Sequence, residues 1–300
     1  MTSNRLHNTA ASVRQRLANL ARERNEAFQF VLTRYGQERL LYRLSKSPYA
    51  AQFILKGAAL FQLWTGQTHR STRDLDLLCY GAISPERLLT IFNEVCSLTV
   101  EDDGLVYSAK NISAEQIKEH AVYQGIRLRI EFCLEKARIP LQVDVGFGDA
   151  VTPVPQLITY PALLEFAAPQ LRAYPRETVV AEKFEAMVTL GIANSRMKDF
   201  YDVWTIAEQF EFEGDLLRSA IRATFLRRQT PIPTAPPLAL TADFARDPSK
   251  SKQWIAFLKK GMLAETPPPF ASVVELLQAF LMPPTTACHC AFKTGQACAG

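Results

Sequence analysis

The sequence predicts an α/β (α+β) protein: a mixed, partly antiparallel sheet with a helical segment before it and a helical lobe after it. Three observations carry this. Residues 125–145 hold two successive runs in which apolar and polar side chains alternate, as half-buried strands require. Residues 8–45 and 175–228 carry apolar side chains at helical spacing. Between them, Asp74-Leu75-Asp76-Leu77 alternates acid with leucine, so both acids share one strand face and both leucines the other.

The elements follow in order. In residues 8–45, Val13, Leu17, Leu20 and Ala21 form one helical face, and a second helix carries Phe28, Val31, Leu32, Leu40, Leu41 and Leu44. Their arginines, among them Arg34, Arg39 and Arg43, read most simply as solvated flanks; the alternative is a basic face for RNA phosphates. Ser47-Pro48 ends the segment. Phe53–Leu63 has a helical rhythm stopped by Gly66, and polar residues 67–73 lead into the Asp74 strand. Ser84-Pro85-Glu86 opens a helix with a cap, a first-turn proline and an acid. Leu98–Val100 and Leu105–Tyr107 read as short strands around an acidic turn, Glu101-Asp102-Asp103-Gly104, whose acids are expected in solvent. Ile126, Leu128, Ile130 and Phe132, then Leu141, Val143 and Val145, face the core of two antiparallel strands. Tyr160–Leu164 suggests a short strand and turn. Helices follow at 179–190, 196–210, 215–228, 254–263 and 270–282. The expected organisation is a helical segment at 1–47, a core at 48–155, a helical lobe at 156–285 and a disordered tail at 286–300.

Composition bounds the function. The 300 residues are 48% hydrophobic and 21% charged, with net charge +4: an ordinary globular chain, mildly basic. No apolar run approaches the roughly 18 residues of a membrane span, and the first 25 residues lack the apolar core of a secretory signal. The six cysteines form no C-x-x-C pair, which favours reduced thiols in a cytoplasmic protein. Cys288-His289-Cys290 has no second half of a metal site and is expected to fray.

The chemistry concentrates in the acids. Asp74 and Asp76 would repel each other unless a cation sat between them, and hard oxygen ligands suit Mg²⁺. Two solvated acids on an exposed edge are the plain alternative. Asp144 lies on the polar face of a later strand; if the strands are neighbours, three carboxylates converge as two-metal nucleotidyl transfer requires. Lys56, Gly57, Ser71 and Thr72 could meet a triphosphate as charge, close backbone and hydroxyls. Lys183 could equally pair with Glu182 on a helix surface, and Asp199 and Asp202 share a helical face as a salt-bridge cluster would.

These residues carry a resemblance. Leu55-Lys56-Gly57-Ala58, Ser71-Thr72-Arg73-Asp74-Leu75-Asp76-Leu77, Val143-Asp144-Val145-Gly146-Phe147-Gly148-Asp149, Ala181-Glu182-Lys183-Phe184-Glu185-Ala186 and Arg196-Met197-Lys198-Asp199-Phe200-Tyr201-Asp202 occur in the order of the AbiEii/AbiGii toxin nucleotidyltransferases. The chain resembles that family, within the DNA polymerase β-like nucleotidyltransferase superfamily, over roughly residues 10–260. Ala58 takes the last place of the superfamily's h-G-[G/S] signature. The resemblance implies a Mg²⁺-dependent nucleotidyltransferase toxin of a toxin–antitoxin or abortive-infection system. It would transfer a nucleoside monophosphate from an NTP to RNA, the tRNA 3′ end foremost, with a winged-helix antitoxin as partner. By position Asp74 and Asp76 would bind metal, Lys183 would contact the triphosphate, and Asp199 or Asp202 would be a further essential acid; Asp144 matches the third acid by its place on its strand. The rivals are the same fold acting on a protein or small-molecule hydroxyl, and an inactive module that binds NTP or RNA.

Overall fold

The computed structural model describes residues 2–66, 69, 74–81, 83–119, 123–260 and 263–290. Ser71 and Thr72, expected beside a triphosphate, lie outside the described residues. The chain divides into two compact units, residues 1–148 with 156–173 and residues 149–155 with 174–300.

The first unit holds helices α1 (Thr2–Glu23), α2 (Phe28–Lys46), α3 (Ala59–Thr65) and α4 (Pro85–Ser97). Its strands are β1 (Phe53–Lys56), β2 (Asp74–Cys79), β3 (Leu105–Glu119), β4 (Tyr123–Leu134), β5 (Ala137–Phe147), β6 (Gln156–Thr159) and β7 (Gln170–Ala173). They form one mixed sheet in the order β3-β4-β5-β2-β1-β7-β6. β2 runs parallel to β5, and β1 parallel to β7; the other neighbours are antiparallel. Leu75, Leu77, Val143, Val145, Ile126 and Leu128 are buried on one face. α2 lies on that side, where a methyl group added at Gly36 would come within 2.9 Å of Ile139 Cγ2 and 3.3 Å of Leu141 Cδ2. The opposite face carries Asp74, Asp76 and Asp144.

Several elements differ from expectation. Phe53–Lys56 is a strand, not the start of a helix. Phe53, Ile54 and Leu55 are all buried, so no alternation betrays the strand, and an apolar run this short suits either element. Gly57 (φ +74°) then breaks the chain before α3. Of the expected short strands around residues 101–104, only the second forms, as the start of the long β3. β6 and β7 are additional strands of four residues each; they pair with each other, and β7 takes its place in the sheet beside the distant β1. The expected strand at Tyr160–Leu164 is loop instead.

The largest correction concerns charge. Arg39, Arg43 and Asp103 are not solvated but 0%, 5% and 2% exposed. Arg39 Nε donates to Asp103 Oδ2 at 3.0 Å, and Arg43 grips both carboxylate oxygens at 2.6 and 3.0 Å. Tyr35 Oη donates to the Asp103 carbonyl at 2.7 Å. Burial pushes the Asp103 carboxyl up, but Arg43 and Arg39 outweigh it and hold it below its ordinary range. A buried charge is tolerated only when paired in this way.

The second unit is helical: α5 (Arg176–Leu190), α6 (Met197–Gln209), α7 (Gly214–Arg227), α8 (Ala242–Arg246), α9 (Pro248–Lys260) and α10 (Phe270–Cys290). Its core is aromatic, with Phe200 edge-on to Phe270 at 5.2 Å and Phe184 against Phe225 at 5.4 Å. α10 passes through Pro283 and Pro284 and extends to Cys290, into the segment expected to be disordered. Leu277, Leu281, Thr285 and Cys288 continue one buried stripe across the prolines, so packing overrides the local break.

Candidate active site

The register of the sheet aligns one row of side chains across four strands. Lys56 on β1 pairs with Asp76 on β2, Asp76 with Asp144 on β5, and Asp144 with Arg127 on β4. Register-matched residues share a face, so the row reads cation, acid, acid, cation. Asp74 lies two residues along β2 on the same face, opposite Gln142. The three acids, Lys56 and Arg127 are all half-buried.

Gly57 closes tightly on this row. A Cβ built on Gly57 would stand 1.9 Å from Asp76 Oδ2 and 2.7 Å from its Cγ. The missing side chain is the space the Asp76 carboxylate occupies. Asp144 has a different neighbour: Arg127 Nε donates to its Oδ1 and Arg127 Nη2 to its Oδ2, both at 2.8 Å. Gln142 Nε2 approaches Oδ2 at 3.4 Å. The hydrogen bonds to Asp144, working against desolvation and joined by the charges of Asp144 and Asp74, hold the Arg127 guanidinium above its already high ordinary value.

In the second unit, α5 and α6 bring Lys183 to two acids one helical turn apart. Lys183 Nζ donates to Asp199 Oδ1 at 2.7 Å and to Asp202 Oδ2 at 2.8 Å. Arg196 Nε lies 2.5 Å from Asp199 Oδ2. The two acid side chains are 1% and 0% exposed, that of Lys183 13%. Burial raises the Asp199 carboxyl, but Lys183 and Arg196 overcome it and the net shift is downward. Lys198, a possible partner of Asp202 by spacing, is exposed. Glu182 faces Arg228 instead of Lys183: Arg228 reaches Glu185 at 2.7 Å, Asp149 at 3.2 Å and Glu182 at 3.6 Å.

The model of the nucleotidyl transferase AbiEii toxin of type IV toxin–antitoxin systems matches residues 39–276. The chain belongs to the AbiEii family. A candidate nucleotidyltransferase from H. pylori has the same fold, with TM-score 0.52 and 16% identity over 88% of this chain and 98% of that one. A second crystal structure, JHP933 from Helicobacter pylori, matches with TM-score 0.48 and 16% identity over 85% of this chain and 91% of its own. No curated protein sequence matches the chain.

In this member of the AbiEii family, the expected site residues fall into two groups. Asp74, Asp76 and Asp144 come together on one sheet face with Lys56 and Gly57. Lys183, Asp199 and Asp202 come together in the second unit. Among the described residues, no three His, Cys, Asp or Glu side chains form a cage for a metal ion. Mg²⁺ needs none, since it is usually held by one or two carboxylates together with substrate phosphates. Asp74 and Asp76 offer such a pair, with Gly57 leaving Asp76 its room, so the donor set fits. Arg127 was legible as a polar-face residue of its strand, but nothing in the sequence pointed to its bond with Asp144. No helix among the described residues is long and apolar enough to cross a membrane.

Proposed function

We propose that the chain is a Mg²⁺-dependent toxin that transfers a nucleoside monophosphate from an NTP to RNA, with the tRNA 3′ end as acceptor. The observation that carries this reading is the register that sets Asp76 directly beside Asp144 with Asp74 on the same face. In this reading Asp74 and Asp76 would hold Mg²⁺, which when bound would supply neutralisation of phosphate charge and activation of a hydroxyl. The protein's remaining task is positioning and charge, as phosphoryl chemistry makes little covalent demand on it. Lys56 stands beside the acids as a point charge for a phosphate. Within the second unit, Asp199 and Asp202 hold the Lys183 ammonium in place. Type IV family membership supports an antitoxin partner, proposed here as a winged-helix repressor acting in the cytoplasm.

The test uses purified protein, Mg²⁺, total tRNA and each α-labelled NTP in turn, with Asp74→Ala as control. Label on tRNA from one NTP, lost in the variant, is the expected result. Label on a protein band instead would move the acceptor to a protein hydroxyl. Full transfer by a folded Asp74→Ala variant would overturn the assignment.

A further inference from the structure

The Arg127–Asp144 pair has a place in the site that pairing alone does not explain. Arg127 sits on β4 at the register position next to Asp144, and both of its hydrogen bonds go to the two oxygens that a third-acid metal ligand would have to present. Fork-to-carboxylate bonding of this kind engages both oxygens at once. The guanidinium also lies within the field of Asp74. It therefore supplies positive charge where a cation is called for by the acids. Yet the pair is not sealed: the side chains are 29% and 19% exposed, so Arg127 can leave toward solvent or toward an anion without passing through a core. Gln142, the other neighbour of Asp144, is neutral and can stay with it when Arg127 leaves.

We propose that Arg127 is a built-in counter-ion that competes with a divalent cation for Asp144 and gives it up when a substrate phosphate draws the guanidinium away. The inference rests on the proposed metal site at Asp74 and Asp76. Metal would load first on that pair, and Asp144 would join only when a phosphate oxyanion, from the triphosphate or from RNA, has engaged Arg127. Arg127 is thus a positioning residue whose effect passes through Asp144.

The test is Mn²⁺ binding to the full chain, followed by calorimetry and by the electron paramagnetic resonance of free Mn²⁺. Wild type is compared with Arg127→Gln, Arg127→Lys, Asp144→Asn, Asp76→Asn and the Arg127→Gln/Asp144→Asn double variant, each checked by thermal melting. Without phosphate, Asp76→Asn should lose binding and Asp144→Asn should not. Arg127→Gln should bind Mn²⁺ tighter by roughly fivefold, the upper worth of a part-exposed pair, with Arg127→Lys between the two. The double variant should lose that gain. Adding inorganic tripolyphosphate, or separately tRNA, should make wild-type binding sensitive to Asp144→Asn; whichever additive does so names the phosphate source. Binding weakened roughly 10–100-fold in Arg127→Gln, as when an orienting partner of a ligand is removed, would overturn the proposal. So would an Asp144→Asn loss in wild type equal to that of Asp76→Asn without phosphate. Mn²⁺ binding indifferent to Asp76→Asn would overturn the metal site itself, and the inference with it.

Discussion

Gly57 and Asp76 compete for one volume: a methyl group on Gly57 would lie 1.9 Å from the Asp76 Oδ2 atom. Gly57 also has φ +74°, a conformation that costs an L-residue roughly 1–2 kcal/mol. Gly57→Ala must therefore displace the carboxylate. The expected outcome is a melting point lowered by the backbone strain and a transfer rate down by about 10²-fold, the scale on which a displacement of about 1 Å acts. A folded Gly57→Ala enzyme with wild-type transfer would show that Asp76 need not stand where it does.

Lys183 neutralises two acids that are almost wholly buried. Lys183→Met removes the ammonium that both acids share, and breaking a buried pair from one side costs about 3–5 kcal/mol. The loss should depend on pH. The Asp199 carboxyl is held below its unfolded value, so its contribution is present above the unfolded pKa of about 3.9 and fades as pH falls through the folded value. Urea titrations of wild type and variant should converge in acid, as the Asp199 carboxyl protonates. A gap unchanged below about pH 4 would mean that Lys183 supports the fold by packing.

Glu38 points the other way. Burial raises its carboxyl to about 7, although the Leu163 amide and Arg39 favour the charged form; the Leu163 N–H donates to Oε2 at 2.7 Å. A raised carboxyl stabilises the fold below its unfolded pKa, and that stability drains as pH rises from about 4.5 through about 7. Glu38→Gln keeps an acceptor for Leu163 and removes the titration. It should match wild type near pH 4 and exceed it by about 3 kcal/mol at pH 8, read from urea titrations. Equal midpoints at both pH values would reject the burial effect.

Arg228 gathers Asp149, Glu182 and Glu185, and the Thr189 and Thr230 hydroxyls also donate to Glu185 at 2.6 Å each. Burial opposes the Arg228 charge, but the three acids overcome it and hold the guanidinium protonated. Arg228→Met should destabilise the second unit by about 3 kcal/mol. Arg228→Lys should recover only part, because one ammonium cannot reproduce the fork. Full recovery by lysine in chemical denaturation would reduce the cluster to net charge.

Much of the site was legible because its signals are local. Alternation placed Asp74, Asp76 and Asp144 on polar strand faces, and Ser84 caps its helix as read, accepting from the Arg87 amide at 3.2 Å. The adjacency of β2 and β5 was conditional in the sequence, since nothing local states which strands pair. The same limit hid β7, which gains its place from parallel pairing with β1. It also hid the burial of Arg39, Arg43 and Asp103: an arginine on a helix looks alike in solvent or in a core until its distant partner is known. Phe53–Lys56 failed for another reason, as a run buried on both faces has no period to read.

The strand order also has a consequence in time. β2 finds its parallel neighbour only after β3, β4 and β5 have been made, and roughly 70 residues separate Asp76 from Asp144. At about 5–20 residues per second of translation, the second acid of the row follows the first by several seconds or more. A growing chain on the ribosome thus carries the Asp74 pair for that interval without its companion, and a product truncated before β5 would lack the register that sets Asp76 beside Asp144.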